Sequence, residues 1–318
     1  MQRRRPVYGA WMARILAPVW NSGVTLVALT MLFWAGSVIV GRAAADLLPP
    51  VLFTFLRWTG ALALVVPLAW PHLRADLPAL WGRRWVVALL AVLSTVAYNI
   101  LVYRGLHQTT AVNALLMQSV MPLAILLAGL ALFNERPGWR QAGAILLSLA
   151  GVAVIVAQGS ADTLRHLTFN PGDLLILTAV AAFAVYSAVL RRRPDVHPLS
   201  LAAALFTIGV LLLGPLALAE HAAGARAVLS PASVAAVAYA IVFASLLATL
   251  CYNRGVALLG AARAGQYSHL QPVFGTVLAV LFLGESLHLY HAAGVALIGA
   301  GLLAAGRVRQ PGAANEPA

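Results

Sequence analysis

The sequence predicts an all-α membrane protein of ten transmembrane helices, built as two inverted five-helix repeats with both termini cytoplasmic. Three observations carry that prediction: a composition too apolar for water, ten apolar runs separated by short charged breaks, and a self-similarity at a shift of 150 residues.

Of the 318 residues, 62% are hydrophobic and 9% charged. A soluble domain carries about 25% charged residues, so most of this surface must face lipid. Ten crossings of a hydrocarbon core about 30 Å thick consume about 200 residues, which leaves short loops and no second, soluble domain. The formal net charge is +12, and all 21 basic residues are arginine. They lie in short breaks between apolar runs, a placement that fits anionic lipid head groups and gives no reason to expect a nucleic-acid partner. The single cysteine, Cys251, lies inside an apolar run and can form neither an intrachain disulfide nor a metal site.

The runs fall at 24–41, 50–70, 85–105, 110–133, 139–157, 173–190, 198–219, 232–253, 261–283 and 289–306. Pro71-His72-Leu73-Arg74 and Arg191-Arg192-Arg193-Pro194 are typical separators. The first run follows Arg3, Arg4 and Arg5 like the core of a signal peptide, but the many later runs make it the first uncleaved span. With the N-terminus inside, the cytoplasmic segments hold 16 arginines and the external loops 4, namely Arg42, Arg104, Arg165 and Arg226. That bias places both termini on the cytoplasmic side, which demands an even number of spans.

Shifting the chain by 150 residues pairs Ser37 with Ser187, Arg42 with Arg192, and Arg104-Gly105 with Arg254-Gly255. It also pairs Pro122 with Pro272, Glu135 with Glu285, and Gly151 with Gly301. Arg, Pro and Glu matches are not cheap in so apolar a chain, and all fall in one register. Five spans per half is odd, so the second half enters the membrane from the opposite side, the inverted pattern of secondary transporters. The expected organisation is a first repeat at 1–157 with a short N-terminal arm, a linker at 158–172, a second repeat at 173–308 and a tail at 309–318.

Further likeness lies in Phe55-Leu56-Arg57 and in the paired turns Phe133-Asn134-Glu135-Arg136-Pro137 and Leu283-Gly284-Glu285-Ser286-Leu287, followed by Gly143 and Gly294. With these features the chain resembles ten-helix members of the drug/metabolite transporter superfamily, of the EamA-like type. The resemblance implies a multi-pass carrier that moves metabolites by alternating access. Within the superfamily the chain is most similar to bacterial exporters that accept aromatic amino acids, which implies the cytoplasmic (inner) membrane of a bacterium and export of small neutral metabolites.

Polar groups in lipid are costly and turn toward the bundle interior. Ser94, Thr95, Tyr98 and Asn99 share helical spacing in the third span, and Asn113, Met117, Gln118 and Met121 in the fourth. In the repeat register Asn99 meets Thr249, Gln118 meets Ser268, Ser119 meets His269 and Met121 meets Gln271. Such groups either line a shared central cavity or bond helices to one another. Trp34, Tyr98, Tyr103, Phe183, Tyr186, Tyr252 and Tyr267 supply inner aromatic surface that can pack the core or select planar, ammonium-bearing solutes. The expected substrate-binding set is therefore Trp34, Ser37, Tyr98, Asn99, Gln118, Tyr186, Thr249, Tyr252, Ser268, His269 and Gln271. It would sit between the third, fourth, eighth and ninth spans, with the first and sixth as moving walls.

Gating or hinge roles are expected for Arg57, Gly105, Pro122, Gly255 and Pro272. The prolines would kink their helices and free the carbonyls of Gln118 and Ser268. Arg57 is the charged residue well inside a span; it could reach outward, cap carbonyls or bind a substrate carboxylate.

The nine acids lie in loops, at span ends or in the tail, so no embedded carboxylate relay is visible. That also argues against a small multidrug exporter, and the absence of lysine argues against an organophosphate exchanger. No P-loop, GxSxG or HExxH motif occurs, so the chain is not expected to be an enzyme, and no cofactor or metal is expected. An intramembrane enzyme would need a nucleophile–base pair at depth, and a pore a continuous polar stripe. The expected partners are a small-molecule substrate and the bilayer, with a monomer compatible with everything in the sequence.

Overall fold

The computed structural model describes residues 17–109, 114, 117–135, 138–157, 160, 170–283 and 288–306. The N-terminal arm, Asn113, Arg136, Arg165, Glu285, the C-terminal tail and most of the 158–172 linker lie outside them. The described residues form helices and no strand. In chain order these are α1 (Gly23–Ala44), α2 (Pro50–Gly82), α3 (Arg84–Leu106), α4 (Met121–Phe133), α5 (Trp139–Val156), α6 (Pro171–Val189), α7 (Pro198–Ala222), α8 (Pro231–Leu259) and α10 (Leu289–Gly306). The ninth, α9, is broken into Ala261–Gln266, a 3-10 turn Tyr267–His269, and Leu270–Leu283. Six of these helices, α1, α2, α3, α6, α7 and α8, are long and apolar enough to cross a membrane.

Local chemistry sets the starts. Pro50, Pro171, Pro198 and Pro231 each open a helix, where a missing N–H costs nothing. Asn170 with Asp173, and Ser230 with Ser233, form reciprocal capping boxes. Asn134 ends α4 in the left-handed conformation at φ 55°, and Gly260 makes the α8–α9 corner at φ 80°.

One boundary differs from expectation. The separator Pro71–Arg74 lies inside α2, whose 33 residues include Pro67, Pro71 and Pro78. At 1.5 Å per residue that is about 50 Å, well beyond the hydrocarbon core. Packing along α7 carries the helix through its prolines, and Asp76 accepts the His197 backbone N–H at 3.0 Å. The His72 ring stacks on His197 at 3.8 Å. Burial, helped by His72 and opposed by Asp76, holds the His197 pKa below its ordinary 6.5. The unfolded chain therefore takes up this proton first as pH falls, so the contribution to stability is present above 6.5 and is lost below it. Melting the purified protein from pH 7.5 to 5.5 should show a small acid-side loss that is reduced in His197→Gln.

The inversion is visible in which helices meet. α1 packs on α8 and α9, and α6 packs on α3 and α4; α2 lies along α7 and α5 along α10. Exchanging the halves turns the first two statements into each other and leaves the last two unchanged. Among the described residues, residues 150 apart are hydrogen-bonded at two places: Ser148 Oγ lies 3.4 Å from the Ile298 carbonyl, and His269 Nε2 donates to the Ser119 carbonyl at 2.9 Å. A residue meets its own repeat mate only at the pseudo-two-fold axis, so α4 meets α9 there, as α5 meets α10. Polar ties also sort to two ends, as the arginine count predicts. Arg83–Arg192, Glu135–Arg191 and Asp76–His197 lie at one, and Arg42–Leu106, Thr109–Asp173 and Glu220 with the first turn of α2 at the other.

Candidate functional site

Two helices carry an insertion at the same repeat position. Val92–Ala97 within α3 and Ala240–Leu247 within α8 are π-helical. A π segment widens the helix by one residue, disturbs the backbone ladder, and recurs at functional sites. Between these segments lies a cavity of three adjoining lobes. The first is bordered by Trp34, Arg57, Ser94, Asn99, Tyr186 and Thr249, with Tyr98, Phe183, Tyr252 and Asn253. The second adds Ser37, Tyr103, Gln118 and Gln271, and the third Met121, Ser268 and Gly265. Trp34 and Tyr98 border all three. The space open to the centre of a water molecule is only about 30 Å³ in the first lobe, enough for a water or two. A substrate requires the walls to part.

Aromatic rings make one side. Phe183 touches Trp34 edge-on at 5.3 Å, Tyr98 at 5.1 Å, Tyr186 at 5.3 Å and Tyr252 at 5.2 Å. Trp34 also lies 5.3 Å from Tyr252, and its Nε1–H donates to the Ala244 carbonyl at 3.3 Å. On the polar side the two mated serines each bond a tyrosine, Ser37 the Tyr103 hydroxyl at 3.2 Å and Ser187 the Tyr252 hydroxyl at 2.8 Å. Tyr186 donates to Asn253, and Tyr98 donates to Gln118 Oε1 at 3.3 Å.

Arg57, 3% exposed, lies against the first two lobes. Its Nε donates to Ser245 Oγ at 2.8 Å, one terminal nitrogen to Asn99 Oδ1 at 3.0 Å and the Tyr103 hydroxyl at 2.5 Å, and the other to the Ala244 carbonyl at 3.0 Å. Its guanidinium carbon sits 5.0 Å from the centre of the Trp58 ring.

The pattern of the EamA-like transporter family matches residues 21–157 and again 170–307. The chain belongs to the EamA-like transporter family. Among curated proteins, this EamA-like chain is 29% identical to an uncharacterized transporter of Archaeoglobus fulgidus, over 85% of its length and 92% of the relative's. It is 27% identical to the uncharacterized transporter YyaM of Bacillus subtilis, over 70% and 73%. A solved crystal structure shares the fold at TM-score 0.69 and 21% identity, covering 89% of this chain and 96% of the other. The chain is thus a multi-pass membrane protein of a transporter family.

In this EamA-like transporter the cavity gathers Trp34, Ser37, Tyr98, Asn99, Gln118, Tyr186, Thr249, Tyr252, Ser268 and Gln271. His269 stands apart: fully buried, it points Nε2 at the Ser119 carbonyl on the axis and does not border the three lobes. Its polarity serves the α4–α9 crossing.

The residues expected as hinges sit at close helix contacts, at helix breaks and at the cavity. A Cβ on Gly105 would lie 2.9 Å from the Gly172 carbonyl, and one on Gly255 would lie 2.4 Å from Val27. Both glycines sit within regular helix, where they let α3 approach α6 and α8 approach α1. Pro122 falls in the first turn of α4, and Pro272 just after the 3-10 turn of α9. The helices are broken before the prolines rather than kinked by them. At the break the Ser119 carbonyl accepts from His269. Arg57 borders the cavity.

Sequence reasoning passed over Trp58, Phe206 and Asn253, which border the first lobe, over Ser245, and over both π segments. Asn253 is the repeat mate of Tyr103, so the 150-residue register held a signal for it. Ser245 and the π segments leave no trace in residue type.

Proposed function

We propose that the chain is a secondary carrier in a bacterial cytoplasmic membrane, exporting small neutral amino acids, aromatic ones among them, by alternating access around this cavity. The observation that carries the reading is the nest of Trp34, Phe183, Tyr98, Tyr186 and Tyr252 beside polar lobes, between broken and π-distorted helices of both halves. Facing aromatic rings stabilise a planar apolar side chain and attract an ammonium group. The hydroxyls and amides around them offer hydrogen bonds to a zwitterion's ends. Broken helices meeting at a pseudo-symmetric interface are where inverted-repeat carriers bind substrate. In the proposed cycle the halves rock about the α4–α9 and α5–α10 crossings, and the cavity, nearly closed here, opens to one side at a time.

The test is uptake of radiolabelled solutes by liposomes holding the purified protein, with and without a pH gradient. Saturable movement of Phe or Trp, competed by other aromatic amino acids, is the expected result. Movement of a different metabolite while amino acids stay outside would leave a carrier with another cargo. Dependence on the gradient would reveal proton coupling.

A further inference from the structure

We propose that Arg57 is the receptor for an anionic head group, so that the central site takes monocarboxylates and turns away substrates whose only charge is a cation. The inference rests on the carrier reading above and names what its cavity must recognise.

The argument begins with charge. A guanidinium stays protonated in proteins, and burying it is costly unless it is both paired and hydrogen-bonded. Arg57 is buried and well bonded, yet its four contacts go to a hydroxyl, an amide oxygen, a phenol and a backbone carbonyl, all neutral. Among the described residues no carboxylate bonds it: Glu135 pairs with Arg191 and Asp76 bonds His197 at one end of the bundle, and Asp173 and Glu220 bond groups at the other. The positive charge at the cavity wall is thus bonded but not neutralised. A guanidinium carries five N–H donors, and four are engaged, so one remains on the nitrogen that faces Ala244.

Donor surplus extends beyond Arg57. Trp58 borders the same lobe, and its buried Nε1–H has no partner; the Gln118 amide nitrogen in the second lobe has none either. Buried donors left unmet are costly and rare. A group bringing acceptors and one negative charge satisfies both conditions together. A carboxylate can accept the remaining guanidinium N–H in a charge-assisted hydrogen bond and leave its second oxygen for the other unmet donors. One cation among neutral neighbours suits one negative charge, whereas a phosphate dianion would call for a second. The adjoining ring nest then takes the apolar body of the same molecule, which gives the substrate a fixed direction in the site.

Ligand-induced thermal stabilisation of the purified full chain separates these ideas. The probes are 3-phenylpropionate, 3-phenylpropanamide and 3-phenylpropylamine, which share a body and differ in head group, together with hexanoate and phenyl phosphate. The expected result is stabilisation by 3-phenylpropionate at concentrations about 10- to 100-fold lower than by the amide or the amine. Arg57→Gln should level the three, and Arg57→Lys should keep the carboxylate preference with weaker binding. If Arg57→Gln does not fold, the wild-type series and Arg57→Lys still decide. Equal response to the three heads, a preference that survives in Arg57→Gln, no response to any carboxylate, or tighter binding of phenyl phosphate each overturns the proposal. Hexanoate binding as well as 3-phenylpropionate would support Arg57 as the receptor while sinking the aromatic selectivity. Preference for the amine would overturn the proposal.

Discussion

Gly151→Leu should prevent the bundle from assembling, or at best yield a protein destabilised by about 3 kcal/mol or more. A Cβ on Gly151 would lie 2.6 Å from the Gly294 carbonyl and 2.9 Å from the Ile298 backbone nitrogen. Neither is the movable end of a side chain. The repeat mate Gly301 faces α5 in the same way, 2.7 Å from the Ala144 carbonyl. Lipid tails are as apolar as leucine, so close packing rather than the hydrophobic effect holds such helices together, and small residues make it possible. Extra side-chain volume at this crossing must push whole helices apart, and Gly301→Leu should fail as Gly151→Leu does. Gly143 on the same helix is the control, because a Cβ there meets nothing within 4 Å. Gly143→Ala should be neutral or gain up to about 1 kcal/mol from helix propensity. Monodispersity on size exclusion and the melting temperature report the difference. Normal yield and melting of Gly151→Leu would show that α5 and α10 do not cross here.

Trp34→Ala should weaken substrate binding about 5- to 100-fold while leaving a folded protein. The indole borders all three lobes and packs on both Phe183 and Tyr252. Each aromatic pair contributes about 0.5–1.5 kcal/mol beyond area burial, and truncation removes two while enlarging the cavity. Trp34→Phe should recover most of the packing but not the bond to the Ala244 carbonyl, and so fall between. Concentration-dependent uptake in liposomes measures the apparent KM directly. If Trp34→Ala transported with unchanged KM, the rings would be core packing and the substrate would bind elsewhere.

How much of this was readable in the sequence depends on what each feature leaves behind in residue type. The spans and the inverted repeat were readable, because lipid demands apolar runs and a duplication keeps its costly Arg, Pro and Gly residues in register. Ten of the eleven expected binding residues border the cavity, because polar and aromatic side chains at span mid-depth have few other places to go. His269 illustrates the limit: its depth is right, but whether a ring faces a cavity or a neighbour's carbonyl depends on local helix rotation. The end of α2 was misread because a Pro71-His72-Leu73-Arg74 break ordinarily ends a span, whereas here packing along α7 carries the helix through it. The π segments were invisible because they change hydrogen-bond spacing, not composition. Without them the neighbours of Arg57 could not be foreseen.

The two places where a residue meets its own counterpart have a consequence for how such a machine moves. Suppose the proposed cycle ends with each half wearing the shape the other wore at the start. A contact between unrelated positions, such as Glu135 with Arg191, is carried to a different place by that swap and must be broken on the way. The contact of Ser148 with Ile298, or of Ser119 with His269, is carried onto itself. These touchpoints behave like the fulcrum of a balance, which belongs to both arms and stays put while the pans trade heights. Mutational tolerance should be lowest there for a reason unrelated to cargo: one substitution disturbs the resting point of both end states together.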